Sequence, residues 1–326
     1  MHWNAPHECD SIIDAHTISR STVLETFSED GKVLTLKAKT AFLDELRPFD
    51  PGKDTFLSYN EYVQREVGEL DAKPEGVYEA STFKGFCRKH DLLFNPIDLD
   101  PFSWNLELCA LHKYRALCAD LWLTVVAERA NMARNKLLSH SNSLEYMRTE
   151  LRKAMQPMQS AKSRLEGMIQ TKDYRGYRCV AWHASENPRF ATAGAVAAPT
   201  GSKGVLPHID GFNPIVLRSL VLDVLPIHKG CLIMFSWINP KPGNDRIMSY
   251  LKRLDQRGVL DFCFLFACNA IHNTFFAPTL WKSFSEEERE IIRTMSLNPE
   301  RGDTFSRARS KDWFDIAVSN PKVIAI

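Results

Sequence analysis

Two pairs of residues that can bind a soft metal ion stand near the start of this sequence. Cys9 and His16 lie in HECDSIIDAHTISRS, and Cys87 and His90 form a Cys-x2-His pair in TFKGFCRKHDLLF. A tetrahedral zinc site takes four nitrogen or sulfur ligands, commonly as two close pairs that the fold brings together. The second pair has the spacing of a zinc knuckle. The first is looser, and His7 and His2 are near enough to supply a ligand in place of His16. The plain alternative is a buried free cysteine beside surface histidines. Zinc suits this region because residues 1–100 are rich in turns and hold few long apolar runs, so a metal would add stability that a small core lacks.

The string AHTISRS, followed about 70 residues later by GFCRKHDLLF, resembles a group of bacterial proteins whose N-terminal modules are similar to the treble-clef and HNH nuclease fold. The phrase HNTFFAPTLWKSFSEEE (residues 272–288) is similar to a feature of the same group, which extends the resemblance over most of the chain. On that pattern Ala15-His16-Thr17-Ile18 ends the first strand. Cys87-Arg88-Lys89-His90-Asp91 opens the helix, with His90 in the place of a second cysteine and Asp91 in the place of a final histidine. The resemblance implies that His16 is a general base activating a water, and that Asp91 helps hold Mg2+ or Mn2+ at a scissile phosphate. Cys9, Cys87 and His90, with His7 or His2, would hold a structural zinc. If His16 is instead the fourth ligand, the site is closed and structural. The function so implied is nucleic-acid processing by an HNH-like nuclease, with bacterial phage defence suggested by the resemblance alone. The competing reading is a non-enzymatic binding or scaffold protein in which zinc staples the fold.

Charge points to a second region. The chain is nearly neutral at +1, yet residues 1–100 carry 19 Asp+Glu against 11 Lys+Arg, whereas residues 129–178 carry 11 Lys+Arg against 4 Asp+Glu. Any contact with nucleic acid is therefore expected in the middle segment, with Arg134, Lys136, Arg148 and Arg152 as binding residues. The alternative is a solvated helix face offset by the acidic N-terminal part. Arg134 and His140 also have the Arg-x5-His spacing of helical HEPN ribonucleases, a pattern that arises often by chance. His208-Ile209-Asp210 with His272 has the order of an iron-binding facial triad, although a turn explains the first three equally well. No glycine-rich phosphate loop and no Gly-x-Ser-x-Gly elbow occurs.

These residues must be positioned by an α+β fold in three parts. The expected parts are a zinc-stapled module over 1–102, a long antiparallel helical pair over 103–175, and a mainly antiparallel sheet with helices over 176–326. Ser103 is the expected cap of the first long helix, the two helices are joined near residues 139–143, and Pro157 should kink or break the second. A stripe of Leu144, Met147, Leu151, Met155 and Met158 suits a helix-pair seam or a homodimer contact. Strands are expected at 32–38, after the Asp30-Gly31 turn, and at 77–86, 178–183, 190–197, 215–224 and 230–238. Helices are expected at 246–257, 260–272 and 285–295, the last opened by a Ser285/Glu288 capping box, with a loosely docked polar tail of 25 residues. Composition, at 44 % hydrophobic and 25 % charged, is that of a globular protein. No apolar run is long enough for a membrane span, the start is unlike a signal peptide, and eight scattered cysteines read as reduced thiols in a cytoplasm.

Overall fold

The Asp30-Gly31 pair makes the turn that its sequence suggests. Both residues have positive φ, +51° and +69°, and the amide and carbonyl of Glu29 pair with those of Lys32 across them. Two successive left-handed residues are what a tight hairpin turn demands, and Asp-Gly meets that need with little strain. The turn launches a strand that belongs to a large sheet. The computed structural model describes residues 9, 11–38, 70–99, 105–137, 142–195, 220–239, 246–256, 258–297, 308 and 311–325.

The strands are β1 (Ala15–His16), β2 (Lys32–Ala38), β3 (Leu70–Gly76), β4 (Thr82–Phe83), β5 (Tyr177–Ala184), β6 (Phe190–Ala195), β7 (Val221–Ile227), β8 (Gly230–Ile238), β9 (Thr274–Phe276) and β10 (Lys322–Ala325). The helices are α1 (Arg88–Asp91), α2 (Asn95–Leu99), α3 (Leu106–Leu137), α4 (Asn142–Thr171), α5 (Arg246–Leu251), α6 (Gly258–Ala270), α7 (Pro278–Ser283) and α8 (Glu286–Leu297). Among the described residues eight strands form one antiparallel sheet in the order β10-β5-β8-β7-β6-β9-β2-β3, and β1 pairs with β4 in a separate two-stranded ribbon. The fold is thus α+β, as expected. The large sheet takes β2 and β3 from the first part of the chain and the rest from the last.

Strand alternation divides the core. Val221 and Leu225 of β7 face one side, with α3, α4 and the N-terminal ribbon; Leu222 and Val224 face the other, with α6 and α8. Side chains of period two therefore feed two separate cores from one strand. Helix α3 is buried on every side from Cys109 to Ala119, between the sheet, α4 and the N-terminal module.

Several expectations are corrected. Helix α4 runs through Pro157 without ending, because Met158, Ala161, Leu165 and Ile169 pack into the core around and beyond it. Tertiary packing here outweighs the lost hydrogen bond. Ser103 lies outside the described residues, and Asn105 performs the cap: its Oδ1 accepts the Glu107 amide at 2.8 Å. The strand expected over 77–86 shrinks to β4. The polar tail is not loose, since Lys322–Ala325 adds an edge strand to β5 and Trp313 is buried against Phe264 and Phe284. The capping box is present, with the Ser285 amide on Glu288 Oε2 at 2.7 Å and the Glu288 amide on Ser285 Oγ at 3.3 Å.

Candidate metal centre and its surroundings

Cys87 is the extended residue immediately before α1, and His90 sits in that helix one turn on. Helical spacing brings positions three apart onto one face, so the Cys-x2-His pair converges as the helix forms. The chain near Cys9 is carried to the same place by the ribbon. Ile12 bridges to Cys87, the Ile13 amide donates to Phe86 O at 3.0 Å, and the Thr17 amide donates to Ser81 O at 2.8 Å. Beneath them Phe86 meets Phe83, Phe94 and Tyr114, with ring centroids 5.4, 5.0 and 6.2 Å away, which seats the module on α3.

The result is a cluster of three ligand atoms. Cys87 Sγ lies 3.0 Å from His90 Nδ1, and Cys9 Sγ lies 3.6 Å from the same nitrogen. All three atoms are within 4.8 Å of one another. A tetrahedral ion with metal–sulfur and metal–nitrogen bonds of about 2.3 and 2.0 Å separates sulfur from nitrogen by roughly 3.5 Å. The observed spacings bracket that figure, so the group could hold a metal ion. Cys87 is buried, while Cys9 and His90 are half-buried. This is the one such group of His, Cys, Asp and Glu among the described residues. His2 and His7 lie outside them.

His16 stands apart from this cluster. It closes β1 opposite Thr82, and its Nε2 is 3.2 Å from the carbonyl oxygen of Val77. A carbonyl only accepts, so Nε2 carries the proton and Nδ1 keeps its lone pair. Burial lowers the His16 pKa below its ordinary value; the Val77 bond opposes this, and the positive charges of Arg20 and Arg115 add to it. The neutral imidazole is favoured.

Asp91, at the end of α1, is shifted the other way. Burial raises its pKa, Arg115 counters this, and Asp98 adds to it. Arg115 and Asp98 therefore act on both His16 and Asp91, which share one electrostatic neighbourhood. Arg115 projects from α3 and is 3 % exposed. Its guanidinium grips Asp98 through bonds of 2.9 and 2.7 Å and lies 4.4 Å from the centre of the Phe94 ring. Neither Arg115 nor Asp98 drew attention in the sequence, where nothing in their types or separation marks them as a pair.

The basic segment looks different in three dimensions. Arg148 Nε and Arg152 Nε both donate to Glu128 Oε1, at 2.8 and 3.0 Å, and Arg148 Nη1 reaches Glu145 Oε2 at 3.3 Å. Both arginines thus tie α4 to α3. Arg134 and Lys136 fall in the last turns of α3, and their side chains lie outside the described residues. So do His140, His208 and Asp210, while His272 is exposed on the turn between α6 and β9. Of the methionine stripe, Met158 is buried, Leu151 and Met155 are half-buried, and Leu144 and Met147 have side chains outside the described residues.

All eight cysteines are free thiols, and among the described residues no helix is long and apolar enough to cross a membrane. Comparison of this chain with family models, with curated proteins and with solved structures finds no match.

Proposed function

We propose that the chain is a zinc-stapled, nucleic-acid-processing protein whose N-terminal module works as an HNH-like phosphodiesterase. The observation that carries this reading is the hydrogen bond from His16 Nε2 to Val77, which leaves a neutral Nδ1 with a lone pair on a histidine that is not part of the thiol–imidazole cluster. Two thiolates and an imidazole are a ligand set suited to zinc, with His7 as the candidate fourth ligand. Cys87 is buried, which fits a staple and not an open catalytic ion.

In this reading His16 Nδ1 takes a proton from water as its oxygen bonds to phosphorus, and the bond from phosphorus to the leaving oxygen breaks. Asp91 would help hold Mg2+ or Mn2+, which when bound neutralises charge gathering on the phosphate. Burial raises the pKa of Asp91, so a proton competes with such an ion more readily than at an exposed carboxylate.

The test uses the purified full chain with single- and double-stranded DNA and RNA, with Mg2+ or Mn2+ added, and elemental analysis of each variant. About one zinc per chain is expected, retained in His16→Ala and lost in Cys87→Ser, with cleavage abolished by His16→Ala and Asp91→Ala. Cleavage that survives His16→Ala, or no cleavage of any of the four substrates, overturns the enzymatic reading. Zinc with no cleavage leaves the scaffold.

A further inference from the structure

A second group of ionisable side chains lies in the interior, between α3 and the sheet. Lys113 and Asp120 are seven residues apart on α3, two turns, and so project from one face. Lys113 is wholly buried and its Nζ donates to Ser236 O of β8 at 2.9 Å. Asp223 of β7 is 1 % exposed and points to the α3 side of the sheet, as Val221 and Leu225 do. Its Oδ2 has no hydrogen-bond partner among the described residues. Asp120 stands half-buried at the margin of the group, where its Oδ2 accepts the Ala195 amide at the end of β6. The other titratable or charged groups that face these three are Arg115 and Cys109 of α3, and Tyr177 and Cys179 of β5. Arg115 is already committed to Asp98.

An ionised carboxylate with a bare oxygen is costly in such a place, and so is a buried ammonium. Asp223 acts on Lys113 and also on Asp120, so with all three groups ionised two carboxylates share the charge of one lysine and a net negative charge is left there. Proton uptake removes that charge and turns a bare oxygen into a donor as well as an acceptor.

We propose that Lys113, Asp223 and Asp120 form a proton-operated latch that holds helix α3 to the sheet, loosest where the carboxyls have lost their protons while the lysine still keeps its own, and tighter on either side. Burial raises Asp120 and Asp223 to about 7 and lowers Lys113 to about 7. Between the ordinary carboxylate range and pH 7, the folded chain keeps protons that the unfolded chain has released, so stability falls as pH rises. Above pH 7 the folded chain has lost a lysine proton that the unfolded chain keeps up to its ordinary value of 10.5, so stability rises again. The latch is loosest near neutrality. Because α3 also presents Arg115 to Asp98, loosening reaches the neighbourhood of His16 and Asp91. The latch does not depend on the activity proposed above.

The experiment is denaturant unfolding of the full chain between pH 5 and 9, for the wild type, Asp223→Asn, Asp120→Asn and Lys113→Met. Each proton held only by the folded state makes the unfolding constant change about tenfold per pH unit. Asp223→Asn is therefore expected to flatten the profile between pH 5 and 6.5 by about tenfold per unit, and Lys113→Met to flatten the rise above pH 7. Infrared difference spectra of the wild type between pH 6 and 8.5 give a reading independent of variant folding. They should contain the band of protonated carboxyl groups, reduced in Asp120→Asn. Profiles parallel to the wild type in all three variants, or no protonated carboxyl at pH 6, overturn the proposal.

Discussion

Arg115 and Asp98 are joined by two parallel bonds of 2.9 and 2.7 Å, formed by a residue deep in α3 and one on the edge of the N-terminal module. A guanidinium fork matches a carboxylate in a way that an ammonium cannot, and here its flat face also rests on Phe94. Arg115→Lys keeps the charge but loses the fork and the stacking, and is expected to cost about 2 kcal/mol, below the value for a wholly buried pair because Asp98 is partly solvated. Urea unfolding at pH 7 checks it; a loss below about 0.5 kcal/mol would show the pair to be ornamental to stability.

Gly85 offers a local test of how the ligands are brought together. A Cβ at this position would come within 2.1 Å of the Phe83 ring, whose neighbours Phe86 and Trp122 leave it little room to move. Gly85→Ala should displace the segment that leads into Cys87, at a cost of about 1–3 kcal/mol. Zinc measured per chain should fall along with the melting temperature. A variant with full zinc and unchanged melting would mean that the ring swings aside and that the ligand positions tolerate it.

The elements with strong local signals were legible from the sequence. The Asp-Gly turn, the Ser285/Glu288 cap and the apolar and aromatic run of β8 announce themselves by residue type, and the convergence of Cys87 with His90 follows from their spacing. What stayed hidden depends on contacts between distant parts of the chain. Strand β3 carries Asp71, Lys73, Pro74 and Glu75, a poor strand by composition, and survives because it is an edge strand, where the missing N–H of Pro74 is tolerated. β10 exists because β5 offers an edge to pair with. Arg148 and Arg152 looked like a polyanion surface because Glu128 is one residue outside the basic window and meets them only once the hairpin closes.

His16 gives a pH prediction with a definite sign. Its folded pKa is depressed by burial, so the neutral imidazole persists below pH 6.5, and under the proposed function the cleavage rate should hold its plateau further into acid than an exposed histidine would allow. Stability moves with it. The unfolded chain gains a proton near pH 6.5 that the folded chain refuses, so this residue's contribution is lost as pH falls below that value. The pH–rate profile of the full chain with Mg2+ supplies the measurement; a limb at or above pH 6.5 would assign the base elsewhere.

Removing the metal should act on one module and not on the sheet. Cys9, Cys87 and His90 could hold a metal ion that would join the chain ahead of β1 to the short helix α1, whereas the sheet has its own cores on both faces. A chelator is expected to raise hydrogen exchange over residues 11–27 and 80–94 while β5, β7 and β8 stay protected. Exchange that rises across the whole sheet would mean that the module is needed for the core on the α3 side, which its aromatic contacts with Tyr114 and Trp122 make the informative alternative.

Glu128 decides whether the basic segment can meet a polyanion. Its single oxygen Oε1 accepts from both Arg148 and Arg152, and the two bonds hold its pKa below the ordinary glutamate value. In that state the arginines spend their charge within the hairpin. Glu128→Gln removes the anion but keeps the shape, at a stability cost of about 0.5–1 kcal/mol for such partly exposed pairs. If nucleic acid binds this face, the variant should bind more tightly, and the slope of log K against log salt should steepen by up to about two, one for each arginine freed to meet a phosphate. Fluorescence anisotropy with a single-stranded oligonucleotide at several salt concentrations measures both quantities. An unchanged affinity and slope would confine Arg148 and Arg152 to the structural role that their bonds to Glu128 already give them.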